Sequence, residues 1–195
     1  MQAVTVPRNL ILSLTGLNFT GCYRLPSFAL QEMLCLCPNL ESFEAAQMRD
    51  TDILNDPRPW ICDKKLKKLR LSFKLEDRSS QSMILDRIGK CRQLEDLHLQ
   101  ESDFQVYASS DAWASVFDEF GEFRVGQLHR LANLKNLRVF RGPMKSRDPN
   151  FAWHLDEAYW VLENWPELRV LERIKLSNWC LGLLSGQLDD WYNTE

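Results

Sequence analysis

Apolar positions along this chain recur in a fixed group of four. Leu14, Leu17, Phe19 and Cys22 follow the spacing L-x-x-L-x-L-x-x-C, with an aromatic ring in the third place. Twenty-six residues on, Leu40, Phe43, Ala45 and Met48 take the same places, and after the same interval again they pass to Leu66, Leu69, Leu71 and Lys74. Leu94, Leu97 and Leu99 follow at nearly the same interval, and Leu134, Leu137 and Val139 after a distinctly longer one. Alternation inside each group predicts a short strand with an inward pair, such as Leu69 and Leu71. Between strands the period changes to that of a helix. Leu30, Met33, Leu34 and Cys37 fall at i, i+3, i+4 and i+7, with Ser27 after Pro26 as the expected N-cap and Pro38 closing the helix. Ile84, Leu85, Ile88 and Cys91 form a second such stripe, and Asp156 to Asn164 a third helix. Pro57 and Pro59 leave room only for a turn around Asp52 to Asn55.

One strand and one helix cannot bury their own apolar faces, whereas stacked units bury one another's. A repeat of this length with this spacing is the pattern of a leucine-rich repeat. The expected fold is therefore an α/β leucine-rich-repeat solenoid: a curved right-handed coil with a parallel sheet on its concave face and helices on its convex face. We read residues 1–195 as one domain. Residues 1–13 are an N-terminal partial repeat, 14–174 about six repeats, and 175–195 a C-terminal cap. An insertion at 101–127 carries Trp113, Val116, Phe117 and Phe120 on one side of a helix starting near Ser110 or Asp111 and stopped by Gly121, and Asp118, Glu119 and Glu122 on the other. We read it as a lid over apolar surface. In the last unit Leu168 and Leu171 keep the phase, while Arg173 falls where an apolar side chain is expected. Trp153, Trp160, Trp165, Trp179 and Trp191 supply bulk to close the end.

Composition narrows the classes of partner. The 195 residues are 45% apolar and carry a net charge of -3, with a pI near 5.7, which argues against a general binder of nucleic acid. The six cysteines, at 22, 35, 37, 62, 91 and 180, are not preceded by anything like an export signal: the apolar run Leu10 to Leu14 is broken by Ser13 and runs into the first strand. No window has the roughly 18 apolar residues of a membrane helix. These features predict a soluble cytoplasmic or nuclear protein with reduced thiols and no membrane partner.

The segments GCYRL and LCLCPNLESF resemble the cysteine-containing class of leucine-rich repeat typical of F-box proteins, and LKNLRVFRGP and ENWPELRVLE are similar to segments of fungal F-box and leucine-rich-repeat proteins. The resemblance spans about Leu14 to Ile174. It implies the substrate-receptor arm of a cullin-based ubiquitin ligase, in which an F-box ahead of the repeats docks the adaptor. The stretch Met1 to Ser13 ahead of Leu14 is too short for a three-helix F-box. Ligase subunits are accordingly expected as partners only of a longer form carrying one.

Outward strand positions flank the inward pairs: Gly16, Asn18 and Thr20; Ser42, Glu44 and Ala46; Lys68, Arg70 and Ser72; Asp96, His98 and Gln100; Asn136, Arg138 and Phe140. From these, Glu44, Lys68, Arg70, Asp96, His98 and Arg138 are the candidate protein-binding residues, with charge setting specificity. The run KKLKKLR from Lys64 to Arg70 keeps the repeat phase through Leu66 and Leu69, so it reads as strand rather than as a targeting peptide. Cys35, Cys37 and His98 lack the paired spacing of a zinc site, and Cys22, Cys37 and Cys91 read as small apolar packing groups. His98, His129 and His154 are far apart in the chain, and neither a G-x-S-x-G elbow nor a phosphate loop occurs. The sequence thus predicts non-enzymatic recognition of a protein ligand, with no cofactor, metal or catalytic residue. The alternatives are a structural scaffold unrelated to ubiquitin, or a truncated relative without function.

Overall fold

The computed structural model describes residues 8–74, 80–101, 128–142, 155–172, 182–188 and 190–192. The expected lid helix around Trp113, the expected gap at Arg173, and His154, Trp153, Trp179 and Cys180 lie outside the described residues. Seven strands form one sheet: β1 (Gly16–Phe19), β2 (Ser42–Arg49), β3 (Lys68–Lys74), β4 (Asp96–Glu101), β5 (Val139–Arg141), β6 (Val170–Glu172) and β7 (Asp190–Tyr192). They lie side by side in chain order, and every neighbouring pair is parallel. Between the strands come α1 (Arg8–Ser13), α2 (Ser27–Leu36), α3 (Asp50–Leu54), α4 (Ser80–Ile88), a 3-10 turn at Leu128–Leu131 and α5 (Leu155–Asn164). The protein is a mixed α/β structure, and among its described residues no helix is long and apolar enough to cross a membrane.

A repeated backbone device sets the register. Just before β2 the carbonyl of Thr15 accepts hydrogen bonds from the N–H groups of both Glu41 and Ser42, at 2.7 and 3.0 Å. The carbonyl of Glu41 does the same for Lys67 and Lys68, Lys67 for Glu95 and Asp96, Glu95 for Arg138 and Val139, and Arg138 for Arg169 and Val170. One carbonyl with two lone pairs thereby satisfies the two donors that enter the next strand.

The core lies on one side of this sheet. Phe43, Ala45, Leu69, Leu71, Phe73, Leu97, Leu99, Phe140 and Leu171 point into it from the strands, and Leu30, Leu34, Ile53, Ile84, Leu85, Ile88 and Val161 meet them from the helices. At about 1.5–3 kcal/mol per buried large apolar side chain, this cluster is the main favourable contribution to the fold. Gln31 is polar and buried within it, yet satisfied, since Trp60 Nε1 donates to its Oε1 at 3.0 Å.

Four expectations need correction. Ser27 does not cap α2; the helix begins there, Pro26 occupies the cap without a side-chain bond, and Ser27 Oγ instead accepts the N–H of Arg49 at 2.7 Å. In β3 the fourth interior place belongs to Phe73 rather than Lys74, because β2 carries one extra residue between Ala45 and Met48, so that Met48 pairs with Phe73. Gln47 in that bulge has φ 61, a left-handed backbone that a non-glycine residue adopts only at a cost. Cys22 is exposed rather than packed inside; it sits in the loop Gly21–Leu25, which lines an open cavity of about 560 Å³. The largest correction concerns β5. Leucines at 131, 134 and 137 followed by Phe140 recur at every third position, and the pattern alone allows two alignments. The carbonyl of Glu95 selects one by binding Arg138 and Val139, which pairs Leu97 with Phe140. The partner of Leu97 is therefore Phe140, one step of the pattern beyond the expected Leu137. Phe140 is buried at 1% exposure, Val139 lies on the opposite face, and Asn136 and Arg138 precede the strand.

Candidate functional site

On the face away from the core, cross-strand neighbours form two rows. Gly16, Ser42, Lys68, Asp96, Val139 and Val170 make the first; Asn18, Glu44, Arg70, His98, Arg141 and Glu172 make the second. Parallel strands lie about 4.8 Å apart, which brings neighbouring side chains of a row within reach of one another.

Glu44 anchors the first cluster. Its Oε1 accepts Lys68 Nζ at 2.6 Å, and its Oε2 lies 3.5 Å from an Arg70 Nη and accepts Asn18 Nδ2 at 3.2 Å. The hydrogen bond from Lys68 above all, then the charges of Arg70, Lys68 and His98, hold its carboxyl below the usual range despite the opposing effect of burial. Exposure is uneven within this cluster. The Glu44 side chain is 10% exposed while those of Lys68 and Arg70 are 40% and 37% exposed. The carboxylate lies beneath and the two cations face outward. Among the described residues Arg70 Nε has no acceptor.

Arg141 anchors the second cluster. Its Nε donates to Glu172 at 2.8 Å, and an Nη lies 3.3 Å from Asp96 Oδ1. Asp96 is the opposite of Glu44: burial pushes its carboxyl up, and the nearby cations Arg141, Lys68 and Arg70 only partly counter that. His98, buried at 8% exposure, stands between Arg70 and Arg141 in the row.

Five of the six residues expected from the sequence thus share one face: Glu44, Lys68, Arg70, Asp96 and His98. Arg138 does not join them. It pairs with Glu95 at 3.8 Å, both side chains being exposed, at the strand-entry position taken by Lys67 and Glu41 in earlier units. Arg141 and Glu172 were missed. Moving the β5 alignment by one step of its leucine pattern exchanges Arg138 for Arg141, whereas Glu172 follows directly from the phase that Leu168 and Leu171 already keep. In the lysine run, Leu66 and Leu69 are buried, and Lys67 pairs with Glu41 at 2.8 Å.

Thiol chemistry lies elsewhere. Burial pushes Cys35 up to about 11 and Cys62 up to about 12, and raises Cys37 and Cys91 as well; as neutral thiols these are poor nucleophiles and poor ligands. No group of three or more His, Cys, Asp or Glu among the described residues could hold a metal ion. Comparison of the chain with protein-family models, curated proteins and solved structures finds no match.

Proposed function

We propose that this chain is a non-enzymatic protein-recognition module whose binding surface is the charged sheet face carrying Glu44, Lys68, Arg70, Asp96, His98, Arg141 and Glu172. The observation that carries the reading is the row of charges itself. They lie on the sheet side opposite the apolar core, and each is held by an ion pair or register neighbour on an adjacent strand, so a partner meets groups already oriented. The finer fold we propose is a curved leucine-rich-repeat solenoid with this face on its concave side. Sequential parallel pairing supports it, with the same place of each unit stacked on that of the next from Leu17 through Phe43 and Leu69 to Leu97. By the resemblance to cysteine-containing repeats, the role would be substrate recognition for an F-box type ubiquitin ligase in the cytoplasm or nucleus.

Affinity capture from a cell lysate tests this reading. The parent chain is compared with a variant carrying Lys68→Gln, Arg70→Gln and Arg141→Gln, after melts establish that both are folded. A partner held by the parent and lost by the variant supports the sheet face, and ligase subunits in the same eluate support the ubiquitin role. Equal capture by both chains would refute the assignment of the face.

A further inference from the structure

The two ion-pair clusters have opposite imbalances. Lys68 and Arg70 share one carboxylate, Glu44, which is two cations to one anion. Asp96 and Glu172 share one guanidinium, Arg141, which is two anions to one cation. Among the described ion pairs of this face, charge is therefore in positive excess over β2 and β3 and in negative excess over β4 to β6. Burial of Glu44 beneath its more exposed partners Lys68 and Arg70 sharpens the positive end.

Resting on the recognition reading above, we propose that the face takes an extended protein segment running across the strands, with an acidic side chain over Lys68 and Arg70 and a basic side chain over the Asp96–Arg141–Glu172 cluster. The cluster centres, on β3 and β5, are two strand spacings apart, or about 10 Å, which an extended chain covers in about three residues. Charge complementarity of this kind fixes the direction in which the segment lies, because reversing it would set like charges together at both ends.

The probe is a random dodecapeptide library displayed on phage and panned on the full chain. We expect selected peptides to carry Asp or Glu about three residues from Lys or Arg. They should bind Lys68→Gln/Arg70→Gln at least about tenfold more weakly, and the parent more weakly as salt rises. Should the double variant melt without cooperativity, Glu44→Gln/Lys68→Gln/Arg70→Gln, which leaves no unpaired buried carboxylate, replaces it with the same expected loss. Selection of peptides without the charge pair, binding unchanged in the variants, or no selection at all would overturn the inference. In each of those cases, a lysate partner retained by the parent but lost on Arg141→Gln would leave the recognition reading standing.

Discussion

In the half of the sheet built from β2, β3 and β4, the interior position at the turn before each strand holds Cys37, Cys62 or Cys91; in the half built from β5 and β6 it holds Leu134 or Trp165. All five side chains are fully buried, and all five backbone carbonyls accept the N–H of the leucine two residues ahead of the coming strand: Leu40, Leu66, Leu94, Leu137 and Leu168. The position is the same while its bulk grows. Among the described residues strand length changes with it, from 8, 7 and 6 residues in the first half to 3 and 3 in the second. There Trp165 packs on Phe140 and on Trp160 with ring centroids 5.1 Å apart, and its Nε1 donates to the Leu131 carbonyl at 3.1 Å. The first half is held by long ladders around small thiols, the second by aromatic packing around short ladders. A wide range of interior volume is tolerated so long as the strand-entry carbonyls keep their two donors.

The contrast can be broken most severely where both halves depend on the same layer. Leu97, fully buried and paired with both Leu69 and Phe140, should not tolerate Leu97→Asp; an unpaired carboxylate there costs several kcal/mol or more, and we expect no cooperative thermal melt. Next is the interior position itself. Trp165→Cys should cost about 3–5 kcal/mol through the cavity it leaves, whereas Cys62→Ala should cost only about 1 kcal/mol for one lost sulfur, as denaturant unfolding would measure. Equal losses would show that the two halves are not packed as described. Third is their junction. A methyl group on Gly89, at the end of α4, would overlap the carbonyl oxygen of Arg130 beside the 3-10 turn, so Gly89→Ala should lower stability by about 1–3 kcal/mol.

Smaller effects separate the two charged clusters by pH. Glu44 has a folded pKa below its ordinary 4.5, so its contribution is present above that value and lost as pH falls through the depressed one. Glu44→Gln should therefore cost about 1–3 kcal/mol at neutral pH and converge on the parent in acid. Asp96 has a raised pKa, so the stability linked to it is complete below its ordinary 3.8 and is lost as pH rises through the folded value. Asp96→Asn, which keeps an acceptor for Arg141, should match the parent in acid and exceed it at neutral pH. Urea titrations from acid to neutral pH would show the two variants diverging in opposite directions. Arg138→Ala should change stability least, by about 0.5 kcal/mol or less, as an exposed pair does; a larger loss would return Arg138 to the sheet face.

What could be read from the chain follows the same division. In the first half, near-even spacing with leucine at most interior places leaves a single alignment, so Glu44, Lys68, Arg70, Asp96 and His98 fall together on the face opposite the core. In the second half leucine recurs at every third position from 131 to 137, compatible with more than one phase, and only the backbone bonds of Glu95 decide among them. For that reason the pattern points to Arg138 and passes over Arg141. The β2 bulge was invisible for a different one: Gln47 has no composition that advertises a left-handed backbone. Cys62 was missed as a partner of Cys37 and Cys91 because it stands one place further ahead of its leucine than they do of theirs.

Among the described residues, the buried cysteines all belong to the first half and give it a property of its own. Thiolate, not thiol, attacks an alkylating reagent, and a thiol whose pKa is pushed up to about 12 in the closed structure, like that of Cys62, is essentially silent until the segment opens to water. Its labelling rate then reports the opening equilibrium at one defined depth in the sheet. Cys22, outside on its loop, sets the rate for a thiol with nothing to open. The sheet between β2 and β4 thus carries its own clock, with Cys37, Cys62 and Cys91 each at the turn before one strand, by which fraying from the β1 edge could be timed without an engineered cysteine.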